Sequence, residues 1–283
     1  MTRDGTVSVV VPTYNRARAL ESNLPQLFAL LGVAEFVIVV DGSTDDTLEV
    51  LGRFDDSRLK VIRQAQHGAP AARNAGVDRS SGEWLLVVDD DDLFPTGFVT
   101  RLLAVAEREK ADIVGTPWVD VGPEGLEETL RRLNSARTER RDLETHPRTF
   151  PMGTIETPFL SNTAIVHRRV FGKVRYDSSY AGNAWREETG FFLSAAEAGF
   201  KVVLTDETYA YHLQRYTGGQ HRPGLGYEYW LVRNNWRFLR RHRRWLQTNA
   251  GMGSVVSSQL RFITGRVAAV ARGRLRRHQA PKA

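Results

Sequence analysis

Apolar residues follow two rhythms along the first third of the chain. Short β-branched runs, VSVVV at 7–11, FVIVV at 36–40, LKVI at 59–62 and WLLVV at 84–88, are bounded by polar turn residues and predict buried strands. Between them, helix-period segments occupy about 17–31, 44–54, 69–79 and 96–109. Alternation of strand and helix predicts an α/β fold around a mostly parallel sheet, where ligands collect at the carboxyl ends of the strands. Thr44–Thr47 carries acids suited to a helix first turn, and Pro95–Thr96 suits the start of the next helix. ADIVGTPWV at 111–119 predicts one further strand.

Residues 120–153 are rich in Arg and Glu, with Pro and Gly near both ends, and predict a solvated helix and loop crossing between two halves. The polar run SNTA at 161–164 precedes a strand-like IVH, an amphipathic segment at 188–200 ends on Gly199, and KVVL at 201–204 restores a strand. From Tyr227 the pattern turns aromatic and basic, with Tyr229, Val232, Trp236, Leu239 and Leu246 at helical spacing. After the loop NAGMG at 249–253, Val256, Leu260, Ile263, Val267 and Val270 form a second helical stripe. This divides the chain into 1–118, 119–225 and a helical tail, 226–283.

Composition narrows the chemistry. The 283 residues, 41% hydrophobic and 25% charged, are ordinary for a globular protein and exclude a wholly disordered or fibrous chain. With no cysteine, any metal must be held by carboxylates, His or water. The net charge of +6 is divided unevenly: residues through Glu228 carry 26 bases against 33 acids, and the remainder carries 13 bases and no acid. A basic amphipathic helix of that kind suits an anionic membrane surface; the alternative is a stripe packed on the body with arginines keeping the outer face solvated. The first residues lack signal-peptide features, and Arg261 and Arg266 interrupt the best late apolar stretch. The expectation is a cytoplasmic protein, peripheral on the membrane if its tail binds lipid.

Candidate chemistry gathers at the predicted strand ends. Asp89–Asp92 follow WLLVV directly, and four like charges in a row become favourable beside a divalent cation, Mg²⁺ or Mn²⁺ for an all-carboxylate set. Asp41 ends the second strand and suits hydrogen bonds to a nucleotide base or ribose, or N-cap chemistry in its own turn. In PTYNR, Tyr14 offers a ring to stack on a base, while Asn15 and Arg16 offer polar contacts near phosphates. HGAPAARNAG at 67–76 places Arg73 at a helix start, within reach of a diphosphate or the acidic cluster. Neither G-x-G-x-x-G nor G-x-x-x-x-G-K-[ST] follows any strand, which argues against a dinucleotide enzyme or a P-loop NTPase.

VSVVVPTYNR, VIVVDGSTDDT, HGAPAARNAG and GEWLLVVDDDDLF together resemble, in order and spacing, the signatures of the family 2 glycosyltransferases. WREETGFFLSAAEAGFKVVLTDETYAYH at 185–212 is similar to that family's acidic "ED" region, and YEYWLVRNNWRFLRRH at 227–242 resembles the tail of rhamnosyltransferase-like members. The resemblance implies a GT-A (Rossmann-like) fold, helices on both sheet faces, a C-terminal helical extension and inversion at the anomeric carbon. It implies that Asp41 hydrogen-bonds a pyrimidine base lined by Pro12 and Tyr14, and that Arg73 lies near the nucleotide. Asp89 and Asp91 match the ends of a D-x-D motif, with Asp90 near the ribose and Asp91 the first choice for the metal. The usual Glu-Asp becomes Glu187, near the acceptor, and Glu188, in the general-base position and one methylene longer than Asp. His212 is a further candidate metal ligand, or a cover for the diphosphate together with Arg215; Gly218 and Gly219 permit a closing loop, and His221 is a weaker candidate.

The expected activity is metal-dependent transfer of a sugar from a UDP- or dTDP-sugar to an acceptor hydroxyl of a glycan or lipid-linked glycan. A sugar-nucleotide nucleotidyltransferase is the enzymatic alternative, but PTYNR is not the Gly- and Arg/Lys-rich phosphate loop it needs. A nucleic-acid-binding protein acting through its tail is the other, and an acidic body would repel a phosphate backbone.

Overall fold

A computed structural model of the chain describes residues 6–121, 125–135, 150–213 and 224–279. In chain order the first half comprises β1 (Val7–Thr13), α1 (Ala17–Phe28), β2 (Val33–Asp41), α2 (Thr47–Gly52), β3 (Leu59–Gln64), α3 (Ala69–Arg79), β4 (Trp84–Val87), β5 (Asp92–Leu93), α4 (Phe98–Glu109) and β6 (Ile113–Gly115). The second comprises β7 (Trp118–Val121), α5 (Leu126–Asn134), β8 (Ile155–Glu156), β9 (Ala164–His167), α6 (Arg168–Phe171), α7 (Glu187–Glu197), β10 (Val202–Leu204), β11 (Ala210–Leu213), α8 (Leu225–Arg241), α9 (Arg243–Asn249) and α10 (Val255–Gln279).

Eight of the described strands form one sheet in the order β3-β2-β1-β4-β9-β6-β10-β8. Only β9 and the edge strand β8 run antiparallel to their neighbours, so the sheet is mostly parallel as its apolar runs predict. Register places β1 between its partners, with Val10 opposite Val37 on β2 and Val87 on β4. Successive residues of each strand then feed opposite faces. Val9 and Val11 join Phe36, Ile38 and Val40 against Leu20, Leu24, Leu102 and Val105 of α1 and α4. Val10, Val37, Val39 and Val87 meet Ala72 and Val77 of α3 and Phe191 and Phe192 of α7. Gly76 permits the close seating of α3, because a Cβ there would lie 2.3 Å from Val10 Cγ1.

The single strand expected over 111–119 divides at Pro117. Pro lacks the amide proton that a ladder requires, so β6 ends in the large sheet and β7 begins in another, ordered β5-β11-β7. Of the segment 120–153, α5 is described over Leu126–Asn134 with two glutamates in its first turn.

The helical extension is built into the body through α8. Phe238 and Leu239 of α8 pack with Leu246, Phe159, Tyr180 and Leu193 in a third apolar cluster, which reaches the buried face of α7. α10 lies against α8 through Gln259, whose Oε1 accepts from Asn235 Nδ2 at 2.8 Å, and through Arg266, paired with Glu228 at 2.6 Å. Val256, Leu260 and Val267 of the predicted stripe stay 57%, 57% and 64% exposed, whereas Ile263 and Val270 are half-buried. No helix among the described residues is long and apolar enough to cross a membrane.

Candidate active site

The carboxyl ends of β1, β2 and β4 and the start of α7 enclose a cavity of about 330 Å³, lined by Pro12, Tyr14, Arg16, Asp41, Arg73, Asp89, Asp90, Asp91, Glu187 and Glu188 and by 183–186. Parallel strands deliver their C-terminal residues to one edge, which is why positions as distant as 12 and 89 meet there. Asn15 stands apart from the lining. Its backbone is left-handed (φ 52°), and its Oδ1 accepts from the Thr44 and Asp45 amides at 2.7 and 3.3 Å, so it fixes the turn after β2.

Asp41 is 2% exposed. Its Oδ1 accepts from Gln64 Nε2 at 2.7 Å and the His67 amide at 2.8 Å, and its Oδ2 from the Gly68 amide at 2.8 Å. Three donors leave one of roughly four carboxylate lone-pair positions for a ligand. The acid therefore anchors the chain leading into α3 and also borders the cavity.

The Asp89–Asp92 run separates into four environments. Asp89 Oδ1 accepts from Arg73 Nη2 at 2.7 Å and Asn162 Nδ2 at 3.3 Å. Asp90 accepts from Thr13 Oγ1 at 2.7 Å and Arg16 Nε at 3.1 Å; burial and the neighbouring Asp91 charge outweigh Arg16 and push its carboxyl up to about 7. For Asp91 burial acts in the same direction, but hydrogen bonds and charge from His212 and Arg16 prevail and hold its carboxyl below the ordinary value. Both described contacts of Asp91 fall on Oδ2: Arg16 Nη2, and His212 Nε2 at 2.9 Å. Asp92 is turned to structural use, accepting from its own turn's Asp89 amide at 2.9 Å and from Trp118 Nε1 at 2.9 Å.

His212 reaches Asp91 from the small sheet, where it pairs in register with Asp92 on β5 and Asp120 on β7. Burial opposes its protonation, but Asp91, followed by Asp92 and Asp120, raises the imidazole above its ordinary value. Arg215, Gly218, Gly219 and His221 lie outside the described residues.

Arg73 joins the two halves of the site. Its guanidinium is 3% exposed and contacts Glu187 Oε1, Asp89 Oδ1 at 2.7 Å and Glu188 Oε1 at 3.0 Å. Glu187, expected beside the acceptor, is itself 3% exposed and spends one oxygen on Arg73. Glu188 is half-buried, and burial together with the Asp89 charge outweighs Arg73 and raises its carboxyl to about 7. Sequence reasoning leaves two contributors unassigned: Asn162, inside the polar SNTA run, and the segment 183–186 immediately before the paired glutamates.

Six carboxylates and three guanidiniums line the cavity. Burial first, and then that excess of negative charge, raises Asp90 and Glu188. No three His, Asp or Glu side chains among the described residues are arranged to hold a metal by themselves. Mg²⁺ and Mn²⁺ need only one or two protein carboxylates, completing their shell with phosphate and water.

A model described as "Glycosyl transferase family 2" matches residues 8–175. The chain belongs to that family. The matched stretch carries β1 through α6, and so every strand end that borders the cavity. Among curated relatives of this family 2 chain, EpsJ of Bacillus subtilis, an uncharacterized glycosyltransferase, is 35% identical over 112 residues, 38% of this chain and 33% of its own. The GalNAc(5)-diNAcBac-PP-undecaprenol beta-1,3-glucosyltransferase of Campylobacter jejuni is 28% identical over 214 residues, 71% of this chain and 66% of its own. The match thus spans between a third and two thirds of these relatives' lengths. Of solved structures, S. aureus TarS 1-349 in complex with UDP-GlcNAc aligns with a TM-score of 0.61 at 19% identity, covering 88% of this chain and 68% of that 1-349 chain, a likeness of fold.

Proposed function

We propose that this family 2 chain is an inverting glycosyltransferase moving a sugar from a UDP- or dTDP-sugar to a hydroxyl of a glycan or lipid-linked acceptor. The observation that carries the proposal is Arg73, which ties Asp89 at the end of the nucleotide-side strands to Glu188 at the start of α7, 115 residues from Arg73 in sequence. Pro12 and Tyr14 form the apolar wall for a base, and the remaining Asp41 lone pair accepts its N–H. Asp90 would accept from a ribose hydroxyl. Glu188 removes the acceptor proton as its oxygen attacks the anomeric carbon from the face opposite the leaving diphosphate. A carboxyl near pH 7 is suited to that work, ionised often enough to accept a proton and basic enough to hold it. Arg73 orients Glu188 and supplies positive charge near the leaving group.

One or two of Asp91, Asp89 and His212, completed by diphosphate oxygens and water, would hold Mg²⁺ or Mn²⁺, which when bound would neutralise charge on the diphosphate. The surplus of carboxylates over guanidiniums in the cavity is the argument for it. The exposed Val256, Leu260 and Val267 stripe, on the stretch after Glu228 with its 13 bases and no acid, supports peripheral attachment to an anionic membrane on the cytoplasmic side. The cited Campylobacter relative, by its name, acts on an undecaprenol-linked glycan, in keeping with an acceptor held there.

Thermal unfolding with a set of nucleotide sugars, in Mn²⁺ and in EDTA, tests donor and metal together. UDP- or dTDP-sugars should stabilise the protein in Mn²⁺ and lose that effect in EDTA, and turnover should release free nucleoside diphosphate. Release of pyrophosphate instead would assign nucleotidyl transfer and overturn the proposal.

A further inference from the structure

Three guanidiniums line the cavity, and two are already neutralised. Arg16 is paired with Asp90 and Asp91, and Arg73 with Asp89, Glu187 and Glu188. Arg186 makes no ion pair with any described residue. Its Nε donates to Asn235 Oδ1 on α8 at 3.3 Å, and its guanidinium lies 5.2 Å from the Phe238 ring centroid and 5.8 Å from that of Trp185. No described residue accepts from Nη1 or Nη2. Burial lowers its pKa to about 10, so it remains a cation at neutral pH without a carboxylate to offset the lost hydration.

The backbone holds this side chain in place at some cost. Ala184 (φ 50°) and Arg186 (φ 71°) are both left-handed, on either side of Trp185. The helix α8 clamps the segment, with Asn234 Nδ2 donating to Ala181 O at 2.9 Å and Asn183 Nδ2 donating to Tyr227 O at 3.3 Å. Non-glycine residues in this region persist where the surrounding structure enforces them, a pattern found at ligand clamps. Two residues beyond Arg186 lies Glu188, beside which an acceptor hydroxyl must sit if the proposed transfer holds. The donor diphosphate belongs at the other side of the cavity, with Asp89 and Asp91.

We propose that Arg186 is the receptor for an oxyanion, a phosphate or carboxylate, carried by the acceptor close to the hydroxyl that is glycosylated. The planar fork of Nη1 and Nη2 matches two oxygens of such a group, and the aromatic rings beneath exclude water from one face. The inference rests on the glycosyltransferase reading for the word acceptor, but the oxyanion site itself can be tested without turnover.

The test is thermal unfolding of the full chain, wild type against Arg186→Gln and Arg186→Lys, first with UDP and then with methyl phosphate titrated onto protein saturated with UDP. The expected result is a UDP response within about twofold of wild type in R186Q, with methyl phosphate affinity reduced by about tenfold or more, and an intermediate value in R186K. Without added anions R186Q should unfold no lower than wild type, because it removes a half-buried charge with no carboxylate partner among the described residues. Equal methyl phosphate responses in wild type and R186Q would overturn the proposal, as would loss of UDP binding in R186Q, which would assign the guanidinium to the donor. If R186Q does not fold, R186K carries the same comparison, since it keeps the charge and loses the fork. Absence of any response of the wild type to UDP or dTDP in Mn²⁺ would instead refute the glycosyltransferase reading.

Discussion

The carboxylate of Glu35 offers a quantitative test of how the sheet is held together, far from the cavity. On β2, it is 4% exposed, and its Oε1 accepts from Ser8 Oγ on β1 at 2.5 Å and from Ser81 N and Oγ at 2.5 and 2.9 Å, while Oε2 pairs with Lys60 on β3. Burial opposes ionisation, but these donors outweigh it and draw the carboxyl down from an ordinary 4.5 to about 2. The folded-state value lies below the unfolded one, so the contribution is complete above the unfolded value and is lost as pH falls towards 2. A difference of about 2.5 units corresponds to about 3 kcal/mol, a sizeable share of the ~5–15 kcal/mol that stabilises a domain. By pH 3.5 about 1.4 kcal/mol of it should be gone. Urea unfolding of wild type and Glu35→Gln, followed by far-UV circular dichroism at pH 7, 5, 4 and 3.5, measures the difference directly. E35Q should be the less stable at pH 7, and the gap should narrow by about 1.4 kcal/mol at pH 3.5. A gap that is negligible at pH 7, or constant across the series, would refute the argument.

Other predictions concern the cavity and the core. Glu188→Gln should lower kcat by about 10²–10⁴ with donor-induced thermal stabilisation retained. Wild-type kcat/KM should rise with pH through about 7 as Glu188 deprotonates, and this limb should vanish in E188Q. Gly76→Ala should cost about 1–3 kcal/mol in urea unfolding, because the new Cβ would meet Val10 Cγ1 at 2.3 Å and Val39 Cγ2 at 3.1 Å, both inside a packed core.

What was legible in the sequence was local. Continuous apolar runs such as FVIVV mark strands buried on both faces, and α3 begins and ends at the predicted Ala69 and Arg79 because Gly68 and Pro70 start it and the chain turns extended at Ser80. The strand ends bearing Asp41 and Asp89 meet as expected because β2, β1 and β4 are adjacent in the sheet. Contacts across long sequence separations were not legible. Nothing in WREE distinguishes the half-buried Arg186 from a solvated one until Asn235 and Phe238 are brought against it by α8. Asp92 reads as one more acid in a metal cluster, yet Trp118 and its own turn claim both oxygens. Pro117 was visible within ADIVGTPWV, but that a second sheet receives the chain after it depends on β5 and β11. Asn15 was assigned to phosphates from residue type alone, whereas a left-handed backbone turns its amide group toward residues 44 and 45.

The position of β9 has a consequence for how the chain folds. As the protein emerges from the ribosome, β1, β2, β3 and β4 can pair once residues 7–87 are available, since all four strands lie within that stretch. The outer edge of β4 then waits for residues 164–167, and those residues bridge β4 to β6 in the finished sheet. Until then a flat row of unpaired amides and carbonyls flanked by Leu85, Leu86 and Val87 stands open, the kind of edge that recruits another chain. Late closure by a distant antiparallel strand slows folding through loop entropy, so chains truncated before β9 should aggregate rather than fold as a stable half.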